Sequence, residues 1–298
     1  MATISVTSTY AGDALKAYIL AALVGGETLS TNGISVLTNV KYKRKIKKIA
    51  ATGVVQAGSC DFTATSGTSI TEASVEPKEY KVNESICFQD IYNTWDSADM
   101  QAGLHAENLP QTLVDGLTAA YTGQFAKEVE TMIWQNAVTG GDLFDGFEKI
   151  LAGAITGGTG VTLTVSNIVT ELNKAYALVP AGVLKKQKLE LIIFISHKAL
   201  SLYEMNLATQ GVNTSIMAGV PTLYGIEIKA IGGLSSDDII VIGEKANFYV
   251  ATDLESDFNE IKLIDMRQVT GDETVRFIMK AKLDVAVGFV NEVVFYNA

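Results

Sequence analysis

Leu113, Leu117, Tyr121, Phe125 and Val129 recur four residues apart, and Met132 and Ile133 extend the same stripe. Apolar positions at that spacing lie on one face of an amphipathic helix. The pattern predicts a helix over Asn108–Ala137. Pro110 suits its first turn, where a missing N–H costs nothing, and Asn108 offers a cap. Gly140-Gly141 stops it. Such a helix is about 40 Å long and crosses its domain as a spine. Leu117, Tyr121, Phe125 and Val129 are expected in the core, with Asp115, Lys127, Glu128 and Glu130 on the outer side.

The period changes along the rest of the chain. Residues 1–12 read as an extended arm and Asp13–Leu23 as a short helix, with Leu15, Ile19 and Leu23 on one face. Such an arm cannot fold alone, so it must dock on this subunit or on another. Thr139–Gly160 is rich in glycine and reads as a flexible surface connection; it lacks the Gly-Lys-Ser/Thr of a phosphate-binding loop. Ser166–Val179 is a second helix, capped by Ser166, with Ile168, Val169, Leu172, Ala175, Tyr176 and Val179 inward. Leu189–Ser196 is continuously apolar, the mark of a buried strand. A helix over Lys198–Leu207, begun by Ser196, and strands over Leu223–Ile231, Ile239–Ile242 and Ala246–Ala251 complete an α/β subdomain across about residues 160–255. Glu260–Gln268 and Thr274–Tyr296 alternate as long closing strands.

A polar, alternating region lies between arm and spine. Val54–Phe62 and Ser69–Phe88, around the turn-rich tip Thr63–Thr68, predict a long two-stranded ribbon. In its second strand Val75, Pro77, Glu79, Lys81 and Asn83 face one way, and Glu76, Lys78, Tyr80, Val82 and Glu84 the other. So polar a ribbon suits a projecting element better than a core hairpin. Just before it, six of the eight residues Lys41–Lys48 are basic. In strand geometry Lys41, Lys43, Lys45 and Lys47 point to one side and Tyr42, Arg44 and Ile46 to the other. Three readings stay open for this segment: contact with an acidic surface of a neighbouring copy, a solvated face, or a nucleic-acid patch. The candidate contact residues are Lys41, Lys43, Lys45, Lys47, Glu76, Lys78 and Tyr80.

Composition narrows the picture. Of 298 residues, 48% are hydrophobic and 19% charged, which supplies a globular core for one large domain or two modest ones. The net charge of −10 argues against general cationic attraction to nucleic acid or to an anionic membrane. The first residues lack a basic region ahead of a short apolar run, so neither a signal peptide nor a membrane span is expected. Cys60 and Cys87 lie outside any zinc-type spacing, and a disulfide between them stays open. His105 and His197 are isolated from each other. There is no nucleophile elbow, and the pairs Asp142/Asp145 and Asp237/Asp238 read as solvated loop residues. No catalytic residue, cofactor or metal site is expected.

Arm, polar ribbon, spine helix, α/β subdomain and closing strands, in that order, resemble the Hong Kong 97-like major capsid proteins of tailed bacteriophages. The residues that carry the resemblance are Tyr224-Gly225-Ile226-Glu227-Ile228, Ile239–Gly243 followed by Asn247–Val250, Val275-Arg276-Phe277 with the strand to Val287, and Glu292–Tyr296. The resemblance implies an α+β fold: an N-terminal arm (1–35), an extended loop (36–95), a peripheral domain with the spine helix (96–139 and 256–298) and an inserted axial domain (140–255). It implies hexamers and pentamers closing into an icosahedral shell around double-stranded DNA, held without sequence-specific binding. Scaffold, portal and decoration proteins join the partner set, no membrane does, and the location is the virion, assembled in the host cytoplasm. The alternative is an encapsulin-like nanocompartment that holds protein cargo.

Overall fold

The computed structural model describes residues 6–10, 27–30, 33–52, 57, 67–87, 111–135, 144–158, 160–185, 187–211, 220–253 and 260–298. The expected helix at 13–23, Asn108, Pro110, Gly140-Gly141, Asp142, Cys60, His105, and the strand Val54–Phe62 apart from Ala57 lie outside them. So do the side chains of residues 111–118.

The fold is built around β13, Thr274–Val287. β5 (Lys78–Cys87) runs antiparallel along it from Thr274↔Cys87 to Leu283↔Lys78. β12 (Glu260–Asp265) pairs with Val275–Lys280 and β11 (Phe248–Thr252) with Leu283–Val287. Because β5 shares Val275–Lys280 with β12 and Leu283 with β11, the latter two lie end to end on the opposite edge. β1 (Val6–Tyr10) joins β12, and β2 (Ser35–Leu37) joins β11 in parallel, giving six strands. The expected arm thus docks, over Val6–Tyr10, on its own chain. Val275, Phe277, Met279 and Ala281 are buried while Arg276 is exposed, which is the alternation of a sheet with one core face.

A second six-stranded sheet has the order β6-β14-β10-β7-β9-β8. These strands are β6 (Ile155–Gly157), β7 (Leu191–Ser196), β8 (Thr222–Leu223), β9 (Ile226–Ile231), β10 (Ile239–Glu244) and β14 (Val294–Asn297). Its central strands feed two cores. Ile192, Phe194, Ile239 and Val241 join a core shared with the first sheet. Leu191, Ile193, Ile195, Ile240 and Ile242 join the core under the helices Ile168–Ala177 and His197–Thr209. A strand buried on both faces needs apolar residues at every position, which is why Leu191–Ile195 is an unbroken apolar run. Leu189, expected in this strand, sits instead in an exposed turn of 3-10 helix.

Helices follow the sequence signals with some changes. The spine helix is Gln111–Gln135. Ser196 caps the helix after β7, its Oγ accepting the Ala199 N–H at 3.0 Å. Ser166 does not cap the helix expected at 166: Asn167 precedes Ile168, and its carboxamide oxygen instead accepts the Thr164 N–H at 2.7 Å. Leu223–Ile231 is a hairpin rather than one strand. Tyr224 and Gly225 both have positive φ (53° and 83°), the geometry of a tight two-residue turn that glycine eases.

Three larger expectations change. The glycine-rich passage after the spine is not a loose surface connection. It holds the short helix Phe147–Ile150, and Phe144, Phe147 and Leu151 are buried in the shared core. Thr274–Tyr296 is two strands, because the chain crosses between sheets at Gly288–Val293. Asn247 fixes that crossing, its carboxamide donating to Phe289 O (2.9 Å) and accepting the Phe289 N–H (2.7 Å). The C-terminal strand β14 therefore belongs to the second sheet, and β11 to the first, so the sheets do not divide at residue 255. Finally, Ser69–Phe88 is broken at Glu76-Pro77 into β4 (Gly67–Val75) and β5. β4 pairs antiparallel with β3 (Arg44–Thr52), from Arg44↔Val75 to Thr52↔Gly67. Over the described residues the ribbon's first strand is the basic segment, Arg44–Thr52.

Candidate assembly surface

The ribbon of β3 and β4 is a separate two-stranded sheet. Two strands alone are marginal in water, so its root needs support from the body. Val75 and Val40 supply it by packing on Ala251 and Ala286, with Leu37 and Tyr249 beside them. This contact explains why alternation along β13 ends at Leu283: from there the ribbon root covers the second face, and Asp284 and Ala286 are buried too.

The two faces of the ribbon differ. Ile46, Lys48 and Ala73 share one face and are half-buried. Lys48 forms an ion pair with Glu292 and lies over the Phe289 ring, 4.2 Å from its centroid. An open cleft of about 300 Å³ remains between this face and the turn at residues 288–292. The other face carries Lys45, Lys47 and Ile49 from β3 opposite Ser74, Glu72 and Ile70 from β4. Ile49 and Ile70 form a cross-strand pair, 69% and 60% exposed. Lys45 and Lys47 reach Glu72 at 2.7 and 3.1 Å. Hydrogen bonds from Lys45, then Lys47, hold that carboxyl below the usual carboxylate range.

The seven expected contact residues divide accordingly. Lys45 and Lys47 stand on the exposed ribbon face. Lys41 and Lys43 are exposed but precede β3, with Tyr42 exposed between them, so the strand alternation does not reach them. Glu76 and Lys78 pair with each other at 2.7 Å at the elbow between β4 and β5. The Lys78 hydrogen bond lowers the Glu76 carboxyl. Tyr80 is a correction. It is buried and stacked on Phe125 of the spine at 5.6 Å, because β5 turns Tyr80, Val82 and Ile86 toward the core of the first sheet. The Ile49–Ile70 pair was missed; its signal is an isoleucine in line with Lys45 and Lys47 on one strand and with Glu72 and Ser74 on the other.

The spine helix buries Phe125, Val129, Met132, Ile133 and Trp134 and half-buries Tyr121. Trp134 meets Phe147 and Phe194 at 5.2 and 5.3 Å, and Phe248 stands edge-on to both at 5.5 Å. The loop after β9 passes so close that a Cβ on Gly233 would lie 2.5 Å from the Glu130 carbonyl oxygen. Lys127 and Glu128 are exposed as expected. Glu130 is not. Its carboxylate accepts the Thr28 N–H at 3.1 Å and the Thr28 hydroxyl, whose oxygen accepts the Trp134 indole N–H at 2.8 Å. Burial pushes the Glu130 carboxyl up, against the Thr28 hydrogen bonds. Glu27, next in line, contacts His197 Nε2 at 2.7 Å. The segment Glu27–Ser30 is thereby fastened to the spine and to the second sheet's helix.

The isolated carboxylates have structural partners. Asp238 accepts the Leu163 N–H at 2.8 Å, Asp237 takes Lys198 at 3.3 Å, and Asp145 pairs with Lys149 at 2.7 Å. Among the described residues no group of three or more histidine, cysteine, aspartate or glutamate side chains is placed to hold a metal ion, and no helix is long and apolar enough to cross a membrane.

No family model and no curated protein matches the sequence. Solved structures do match the fold. A chain of the satellite phage P4 procapsid, in a structure that includes the size determination protein, aligns with a TM-score of 0.60 at 9% identity, over 98% of this chain and 92% of that one. A chain from Gordonia phage Cozz gives 0.59 at 16% identity, over 91% and 86%. The capsid of a native gene transfer agent particle gives 0.58 at 12% identity, over 91% and 89%. The chain has the Hong Kong 97-like capsid fold, of the α+β class.

Proposed function

We propose that this protein is the structural subunit of an icosahedral, phage-type capsid. It self-assembles through hexamers and pentamers around double-stranded DNA that it holds without reading its sequence. The observation that carries the reading is the ribbon: a projecting element in a fold shared with capsid chains, with an isoleucine pair left bare beside a row of lysines. Apolar pairs on a marginal two-stranded element are stabilised when a neighbour covers them. The chain's net charge of −10 makes a second copy an electrostatically suitable neighbour for Lys41, Lys43, Lys45 and Lys47.

On this reading the first sheet and spine form the peripheral region and the second sheet the axial region near capsomer centres. Scaffold, portal and decoration proteins are its further partners, and the virion, assembled in the host cytoplasm, is its location. Its role is structural, with no catalytic step. A second reading, a protein-filled nanocompartment, has one observation in its favour: a virus-like particle from Pyrococcus furiosus aligns at a TM-score of 0.53 and 10% identity, over 95% of this chain and 97% of that one. Shells purified from the expressing host separate the readings. Nuclease-protected double-stranded DNA supports the capsid, and a stoichiometric protein cargo with no DNA supports the compartment.

A further inference from the structure

The tip of the β8–β9 hairpin is built against the preference of its own turn. Thr222 pairs with Glu227 and Leu223 with Ile226, which leaves Tyr224 and Gly225 as a two-residue loop with positive φ at both positions. Such a turn favours Asn-Gly, because asparagine tolerates the left-handed region and a bulky side chain does not. Here a tyrosine takes the first position, and it is 53% exposed. Three contacts hold it in place. Its ring lies 5.0 Å from that of Tyr176, its hydroxyl donates to Asn173 Oδ1 at 2.9 Å, and its carbonyl oxygen accepts from Lys188 Nζ at 2.6 Å. Tyr203 braces the hairpin from inside, its hydroxyl donating to the Thr222 carbonyl oxygen at 3.1 Å. Leu189, which follows Lys188, is 79% exposed. Single exposed apolar residues are ordinary. An aromatic held exposed at a conformational cost is not, and backbone strain of this kind gathers at functional sites. A ring fixed in advance loses little freedom when a partner covers it, which is how aromatic anchors of interfaces act.

We propose that this tip is a contact surface for a second copy of the chain, with Tyr224 as its anchor and Leu189 beside it. The proposal rests on the capsid-subunit reading and gives the second sheet a contact of its own, separate from the ribbon's. Charge selects the occupant. Residues 185–190 read Lys-Lys-Gln-Lys-Leu-Glu, three lysines against one glutamate, and Lys185 and Lys188 are exposed. The chain as a whole carries −10, so a second copy is an acidic neighbour for a cationic tip. It also carries a face of the opposite character: Glu204 and Met205 are both exposed on helix His197–Thr209, on the side away from Tyr203. Charge sets the symmetry as well. Across a two-fold axis the tip would meet its own lysines, so the contact is head-to-tail, the tip of one copy on a different face of the next. Repeated around an axis, a contact of that type closes a ring.

Thiol footprinting of the full-length protein tests the proposal. In Leu189→Cys the introduced thiol should be alkylated at least about tenfold more slowly in assembled shells than in the unassembled chain, read on its own peptide by mass spectrometry. Tyr224→Asn gives the turn the residue it favours and removes the anchor. Its denaturant midpoint should stay near that of wild type, while the concentration needed for assembly rises at least about tenfold. Leu189→Glu, at an exposed position, should raise that concentration likewise with no change in stability, and it keeps the test decisive if Tyr224→Asn destabilises the hairpin. Shells in which the thiol reacts as fast as in the free chain, or either substitution assembling at the wild-type concentration, would overturn the proposal and leave the capsid reading standing. A chain that never self-associates would overturn both.

Discussion

Glu130, Tyr80 and Asp284 are polar or amphipathic residues that the fold places inside. Glu130 stands on a helix whose neighbouring positions Lys127 and Glu128 are exposed, so its burial depends on Thr28, a hundred residues away, arriving with two donors. Nothing in a helical period reports such a partner. Asp284 does leave a trace, being a lone carboxylate in the run LDVAVGFV, where both faces of the strand are otherwise apolar. Glu130→Leu removes the acceptor and leaves the Thr28 N–H and hydroxyl without their partner. It should destabilise the chain by about 1–3 kcal/mol in a denaturant titration. Glu130→Gln keeps an acceptor and removes the titration. Because burial raises the Glu130 carboxyl, its contribution to stability declines as pH rises through the raised value. The Gln variant should flatten that part of the stability profile, and an unchanged profile would show that Glu130 does not titrate there.

At the scale of elements, legibility followed burial. The spine helix, β7 and β10 were readable because each has a core to satisfy on one or both sides, and that requirement is written as a period or as an unbroken apolar run. The ribbon was readable as a ribbon but not in its register. Its strands are polar on both faces, and a pattern without a buried side does not specify which segment pairs with which. The break at Glu76-Pro77 was hidden for the same reason: alternation continues through it while the partner changes from β3 to β13. Two predictions belong here. Ile49→Lys with Ile70→Lys should leave the unassembled chain within about 0.5 kcal/mol of wild type, since both positions are exposed. The same pair should raise the concentration needed for assembly at least about tenfold, because burying an isoleucine side chain contributes about 1.5–3 kcal/mol. Light scattering across a dilution series reads the second effect. Shortening the ribbon to keep Arg44–Ile46 on Ala73–Val75 should give a folded, assembly-defective chain. A deletion reaching Tyr80 should unfold it, because it removes Val75, the Glu76 N–H that Asp284 accepts and an aromatic of the shared core.

For the whole molecule, two sheets and a spine share one core, while the ribbon, held at its root and by Lys48 on Glu292 and Phe289, offers a face that the described residues of its own chain leave open. Contacts that are modest singly become large when every subunit repeats them around a closed shell. Order of elements, not any single motif, made this architecture legible: the fold matches solved structures at only 9% to 16% identity. What order could not give was the interleaving of the sheets by β11 and β14, since the exchange is fixed by Asn247 and the turn after Gly288 rather than by any hydrophobic pattern.

Electron microscopy of the purified full-length chain, alone and with its scaffold if one is encoded beside it, tests the central claim most directly. Closed hollow shells of uniform size, built of hexamers and pentamers and lost in the Ile49→Lys/Ile70→Lys variant, are the predicted result. A monodisperse, folded monomer under all these conditions would contradict the account.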